Sequence, residues 1–201
     1  MPRRSQLDRT RSTRGRLEEA GRALFAEHGF GAVSAEQIVA TAGVTRGALQ
    51  YHYGDKRGLF VAVLERLEQD NTDELVAAIA GAPPSADPMV GLRAGLDAFL
   101  RICRRPEMVR IALSDAPAVL GWDAWRELEA KYGLGLVVLQ LEAARGTGRL
   151  APDAPVRMLA QLVLSAVTEA GLIVAHADDP AAAHEQALDA LMLLLAGLLR
   201  G

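Results

Sequence analysis

Apolar residues in this chain recur at three- and four-residue steps, and no run alternates apolar with polar residues long enough to make a strand. Leu17, Ala20, Gly21, Leu24, Phe25 and His28 fall on one face of a helix, and Leu59, Phe60, Val63, Leu64 and Leu67 form a second such stripe. Only nine of the 201 residues are aromatic, which also disfavours sheet. The expected fold class is therefore all-α. Helices are expected over 11–28, 34–42, 46–52, 56–80, 88–103, 106–115, 122–146, 153–176 and 181–200. Their separators are Gly29, Gly43, Gly54-Asp55, the proline-rich stretch 83–88, Arg105-Pro106, Ala116-Pro117, the stretch 146–155 and Asp178-Asp179-Pro180. With 50% hydrophobic and 23% charged residues, the composition is globular rather than disordered. The longest wholly apolar run, Ala190–Leu199, is shorter than the roughly 18 residues of a membrane span. The first residues are basic and polar, unlike a secretory signal. A single cysteine, Cys103, allows no internal disulfide, so a cytoplasmic location is expected.

Charge is distributed unevenly. The chain carries −3 in all, but residues 1–60 hold ten Lys/Arg against six Asp/Glu, and residues 61–201 hold twelve against nineteen. A basic head on an acidic body points to an anionic partner for the head alone.

The head contains a helix, a tight turn and a second helix over residues 34–52. Ser34 with Gln37 has the capping-box spacing, Gly43 suits the turn, and Thr45 is a good N-cap. Ile38, Val44 and Leu49 are placed to lock the pair onto the first helix. The outward positions of the second helix, Arg46, Gly47, Gln50, Tyr51 and His52, carry donors and planar groups rather than carboxylates. Such a helix fits a major groove about 12 Å wide, and its N-terminus suits a phosphate. Arg46 and Gln50 are candidates for reading base edges, and Tyr51, His52 and Lys56 for holding backbone. Ser34 and Thr45 complete the candidate surface. Arg3, Arg4, Arg9 and Arg11 form a candidate arm along the backbone or minor groove.

Residues 13–60 resemble the DNA-binding domain of the TetR family of transcriptional regulators. The stretches that carry the resemblance are Ala23-Leu-Phe-Ala-Glu-His-Gly-Phe30, Ile38-Val-Ala-Thr-Ala-Gly-Val-Thr45, and Gly47-Ala-Leu-Gln-Tyr-His-Tyr-Gly-Asp-Lys56 followed by Leu59-Phe60. The resemblance implies an N-terminal three-helix head over 1–55 and a helical effector-binding and dimerisation domain over 56–201. It implies a homodimer released from a palindromic operator by a small molecule. Thr45, Arg46, Gly47, Tyr51, His52 and Lys56 match family positions that touch DNA. Gln50 departs from the tyrosine usual at its position, which keeps open a second reading: a helical ligand-binding or scaffold protein whose head does not bind DNA. Tyr53 stands where the family often has phenylalanine and is expected to be mostly core.

In the body, the last two helices are apolar nearly all round. Two such helices from each of two chains would make a four-helix interface. Glu169, between Val163–Val167 and Leu172–Ala175, reads as a buried carboxylate, which needs a partner such as Arg93 or Arg110, or a ligand. The candidate effector-binding residues are Phe99, Cys103, Arg110, Trp125, Tyr132, Leu136, Ser165 and Glu169. The four histidines lack metal-pair spacing, and no phosphate loop or di-iron motif is present. No enzyme activity, metal or cofactor is expected.

Overall fold

The computed structural model describes residues 6–85 and 87–199. Among these there is no strand, and the chain is all-α. Helix α1 runs Gln6–His28, α2 Ala35–Ala42, α3 Arg46–Tyr53, α4 Lys56–Ala80 and α5 Pro88–Ile102. A π-helical stretch, Met108–Asp115, continues as α6, Ala116–Leu120. Helix α7, Trp122–Glu129, passes through π-helical Ala130–Leu134 into α8, Gly135–Gly146. Helices α9, Val156–Ala175, and α10, Pro180–Leu198, complete the chain.

The expected break at Ala116-Pro117 is absent. Pro117 occupies the first turn of α6, where its missing N–H costs little, so the helix runs on to Gly121. Helix α9 begins at Val156 rather than 153, because Pro155 serves as its N-cap.

Packing divides the chain into two compact units, residues 1–67 with 106–121, and residues 68–105 with 122–201. The first unit is built on α1. Leu17, Phe25, Ile38, Leu49, Leu59 and Phe60 are buried there. Phe60 packs edge-on against Phe25 at 5.3 Å and Phe30 at 5.1 Å between centroids, giving this small unit three mutually touching rings. Met108, Ile111, Ala112, Leu113 and Ala116 are also buried. Polar ties fasten this second stretch of chain to α1 and the loop after it. Arg22 grips Glu107 through two bonds of 2.7 and 2.8 Å, and the Asp115 carboxylate accepts from the Phe30 N–H at 2.6 Å. Because the Arg22–Glu107 pair is bidentate and part-buried, its coupling free energy is expected to be about 1 kcal/mol. A double-mutant cycle of Arg22→Ala and Glu107→Ala, read by thermal melting, measures it; additive single effects would show that the pair holds nothing.

The second unit centres on α9, which packs against α5, α8 and α10. Leu92, Leu96, Leu100, Leu141, Val167, Val174, Leu188, Leu191 and Leu195 form one core. By length and composition α9 could cross a membrane, with a mean hydropathy of 1.8; no such helix was expected, since Gln161, Ser165, Thr168 and Glu169 interrupt its apolar run. Its inward face makes the core just described, and its outward face is the exposed stripe treated below. At Gly171 the approach of α9 is tight: a methyl there would lie 2.7 Å from Cys103 Sγ and 2.9 Å from Phe99, so only glycine fits without displacement. Asp97, a polar residue of α5, accepts from buried His184 of α10 at 2.8 Å and also pairs with Arg101.

Candidate functional site

The helix-turn-helix forms for local reasons. The Ser34 hydroxyl accepts from the Gln37 N–H at 3.1 Å, and the Gln37 side chain accepts from the Ser34 N–H at 2.7 Å, closing the expected capping box. Gly43 ends α2 in the left-handed region, φ +60°, and its carbonyl accepts from Arg16 of α1 at 2.8 Å. Thr45 then caps α3 by accepting from the Ala48 N–H at 3.2 Å. In both caps the hydroxyl's own hydrogen stays available to a phosphate oxygen.

Leu49 points from α3 into the core, so the opposite face turns outward. Thr45, Arg46, Gly47, Gln50 and Tyr51 are exposed on it, and His52 is half-buried beside them. Tyr51 is 82% exposed and rests edge-on against His52, 4.9 Å between centroids. Arg46 pairs with Glu36 of α2. Both side chains of that pair are exposed, so it is worth about 1 kcal/mol or less and is readily given up to another anion.

The structure adds contacts at two of these residues. Lys56 is no free cation: its ammonium donates to the carbonyls of Phe30 at 2.8 Å and Val33 at 2.7 Å, and lies 4.0 Å from the Phe30 ring centre. Tyr53 is half-buried rather than core. Its hydroxyl donates to Glu18 at 2.7 Å and ties α3 to α1. Burial and that acceptor push the phenol up to about 12. Arg11 is exposed on α1. Arg3 and Arg4 and the side chain of Arg9 lie outside the described residues.

In the second unit the structure relocates the polar centre. Glu169 is exposed, not buried, because it lies on the outer face of α9 with Met158, Leu162 and Ile173. Its neighbours in sequence are apolar because they line the other side of the helix. Arg93 is exposed too. Arg110 belongs to the first unit, where its guanidinium donates to the His28 carbonyl at 3.4 Å. The enclosed carboxyls are instead Glu68 of α4 and Glu129 of α7. Burial, aided by Glu129, pushes Glu68 up to about 7. Burial also raises Glu129, against the Thr168 hydroxyl and the Arg126 guanidinium. Arg126 bridges Glu129 at 3.0 Å and Ser165 at 2.9 Å. Burial, with Glu68 nearby, raises the Cys103 thiol.

Of the expected effector residues, Cys103, Phe99 and Ser165 thus belong to this neighbourhood, and Trp125 is buried one residue before Arg126. Tyr132 and Leu136 are half-buried, with Lys131 4.9 Å from the Tyr132 ring centre. Glu68 lies in the polar stretch Glu65–Asp70, in which composition singles out no one position. The available signal was its spacing: Phe60, Leu64, Glu68 and buried Asn71 continue one helical stripe.

A capped helix-turn-helix head with a separate helical unit defines the helix-turn-helix class of regulators. Residues 17–63 match the family described as bacterial regulatory proteins, tetR family, and residues 89–198 match the tetracyclin repressor-like C-terminal domain. A TetR-family transcriptional regulator from Pectobacterium atrosepticum is 33% identical and superposes with a TM-score of 0.81 over 98% of this chain and 99% of its own. A solved complex of SmeT with triclosan is 26% identical, TM-score 0.69, over 94% and 92%. The Mycobacterium tuberculosis repressor Rv1474c is 29% identical over 61% of this chain and 62% of its own. This chain belongs to the TetR family. Its matches span less than two thirds of the length of the curated relatives it resembles in sequence.

Proposed function

We propose that this chain is a ligand-responsive transcriptional repressor that binds a palindromic operator as a homodimer and releases it when a small molecule enters the second unit. The reading rests on the outward face of α3. Thr45, Arg46, Gly47, Gln50 and Tyr51 are held by two capped turns and contribute little to the core, so their exposure suits a major groove. Ser34, His52, Lys56 and Arg11 complete the contact set, with the third N–H of Lys56 left for a phosphate. Residues 1–55 would read DNA, and residues 56–201 would sense and pair. A DNA target in bacteria places the protein in the cytoplasm.

The partner for pairing is a second copy. Met158, Leu162 and Ile173 of α9 and Leu193 and Leu194 of α10 are exposed large apolar residues on two helices packed against each other. A stripe of this kind suits a self-complementary two-fold interface. Two heads spaced about 34–36 Å apart would then meet successive turns of one duplex face. The relative solved with triclosan supports a small-molecule effector. An effector held among α5, α7 and α9 shifts the equilibrium only if it favours one head spacing.

Tyr51→Ala tests the reading. The ring has no role in the core, so the melting temperature should stay within about 2 °C, since exposed substitutions change stability by about 0.5 kcal/mol or less. Affinity for a fragment selected from random DNA should fall about tenfold, measured by fluorescence anisotropy. Undiminished affinity would remove α3 as the reading helix.

A further inference from the structure

Glu36 is the one acidic residue of α2 and α3. It is exposed, and a carboxylate at a surface that meets DNA weakens attraction for every phosphate. Its partner is Arg46, the first residue of α3, whose Nη1 donates to Glu36 Oε1 across the turn at Gly43. The bond uses one donor of a planar fork that carries five N–H groups. Among the described residues, Nε and Nη2 of Arg46 meet no other acceptor. Those two nitrogens form one edge of the guanidinium, and an edge of that kind donates to two acceptors at once. Gly47 follows Arg46 in α3. A methyl there would have Thr45 Oγ1 at 3.8 Å as its nearest neighbour, so the space beside the arginine is open.

We infer that Glu36 is a positioning residue that makes Arg46 a guanine reader rather than a phosphate clamp, so that each operator half-site presents a guanine to the start of α3. This rests on the regulator reading above and adds the base which that reading leaves open. An unpaired arginine at a duplex surface has phosphates as its strongest partners, because they are charged and line both sides of the groove. In water the Arg46–Glu36 pair is weak, and an anion can take the arginine from it. Against DNA the same exchange is unfavourable. A phosphate that drew Arg46 away would leave the Glu36 carboxylate unpaired among phosphates, in a groove that screens it less than bulk water does. Guanine requires no such exchange. Its O6 and N7 carry no net charge, lie on the major-groove edge, and accept from Nε and Nη2 while Nη1 stays on Glu36. Adenine sets a donor beside its N7, and thymine and cytosine lack the acceptor pair. A guanidinium held in one orientation therefore discriminates where a free one adapts. The pairing also removes side-chain freedom before binding, freedom that a loose arginine would lose on the DNA. Glu36 thus lowers affinity for DNA in general and raises preference at one base pair.

The test uses the full-length protein and a duplex selected from a random pool, together with that duplex's single-base variants, in fluorescence anisotropy. Glu36→Gln keeps the side chain's length and an acceptor oxygen but removes the charge. Both members of the pair are exposed, so the variant should melt like the parent. The parent should favour guanine over adenine about tenfold at one position of each half-site, and Glu36→Gln should lose most of that preference there and nowhere else. Affinity of the variant for an unselected fragment should rise about threefold, and its salt dependence should steepen by about 0.9 per head, as for one added phosphate contact. A brace between α2 and α3 with no part in recognition would leave the base preference as it is. Arg46→Ala should erase the same preference, and adding Glu36→Gln to it should change neither that preference nor the salt slope, since Glu36 acts through Arg46. An unchanged guanine preference in Glu36→Gln, a loss spread evenly over all positions, or a further loss in the Arg46→Ala background overturns the assignment. DNA bound with no guanine at the position that Arg46 controls refutes only the positioning role, whereas a parent protein that binds no duplex at low salt refutes the regulator reading itself.

Discussion

Leu194→Arg should run as a monomer in sedimentation at micromolar concentration and lose operator binding by about two orders of magnitude, with its helical circular dichroism unchanged. Leu194 is 64% exposed in the single chain, so an arginine there meets water and leaves the protomer intact. In a two-fold assembly the substitution appears twice, and burying two unpaired guanidinium groups in an apolar patch costs several kcal/mol. DNA binding follows because each half-site is weak alone, and the second head gains by tethering. Leu195→Arg is the contrast. That neighbour is 3% exposed and packs in the core with Leu188 and Leu191, so an unpaired charge there should unfold the second unit rather than divide a dimer. A Leu194→Arg protein that stays dimeric would move the interface off this stripe.

Lys56→Met should destabilise the first unit by about 3 kcal/mol, seen as an early melting transition. The ammonium satisfies two carbonyls in the loop between α1 and α2 and covers the Phe30 ring. Methionine keeps the apolar stem and removes the donors, leaving Phe30 and Val33 carbonyls without their bonds. Phe30 belongs to the three-ring cluster, so the loss reaches the core. As a pure phosphate contact, Lys56 would behave otherwise. The variant would melt like the parent and lose affinity about equally on all sequences, and that result would reject the structural role.

The helical stretches, the capping box at Ser34 and Gln37, the turn at Gly43, and the outward set on α3 were legible in the sequence. Each depends on groups within four residues of one another, which spacing alone reports. Glu169 shows where that stops. Its apolar neighbours are buried on one side of α9, while it faces out with Leu162 and Ile173. A helix apolar nearly all round does not say which side its own chain covers. For the same reason Leu194 and Leu195 could not be told apart.

By itself, then, the sequence determined the helices, their caps and the outward face of α3, because hydrogen-bond geometry and side-chain period are local. Only the tertiary structure decided that residues 106–121 pack with α1, that the Lys56 ammonium donates to two carbonyls, and that Glu68 is enclosed beside Glu129. Those outcomes depend on which distant segments meet, and burial and pairing are properties of the meeting rather than of either segment alone.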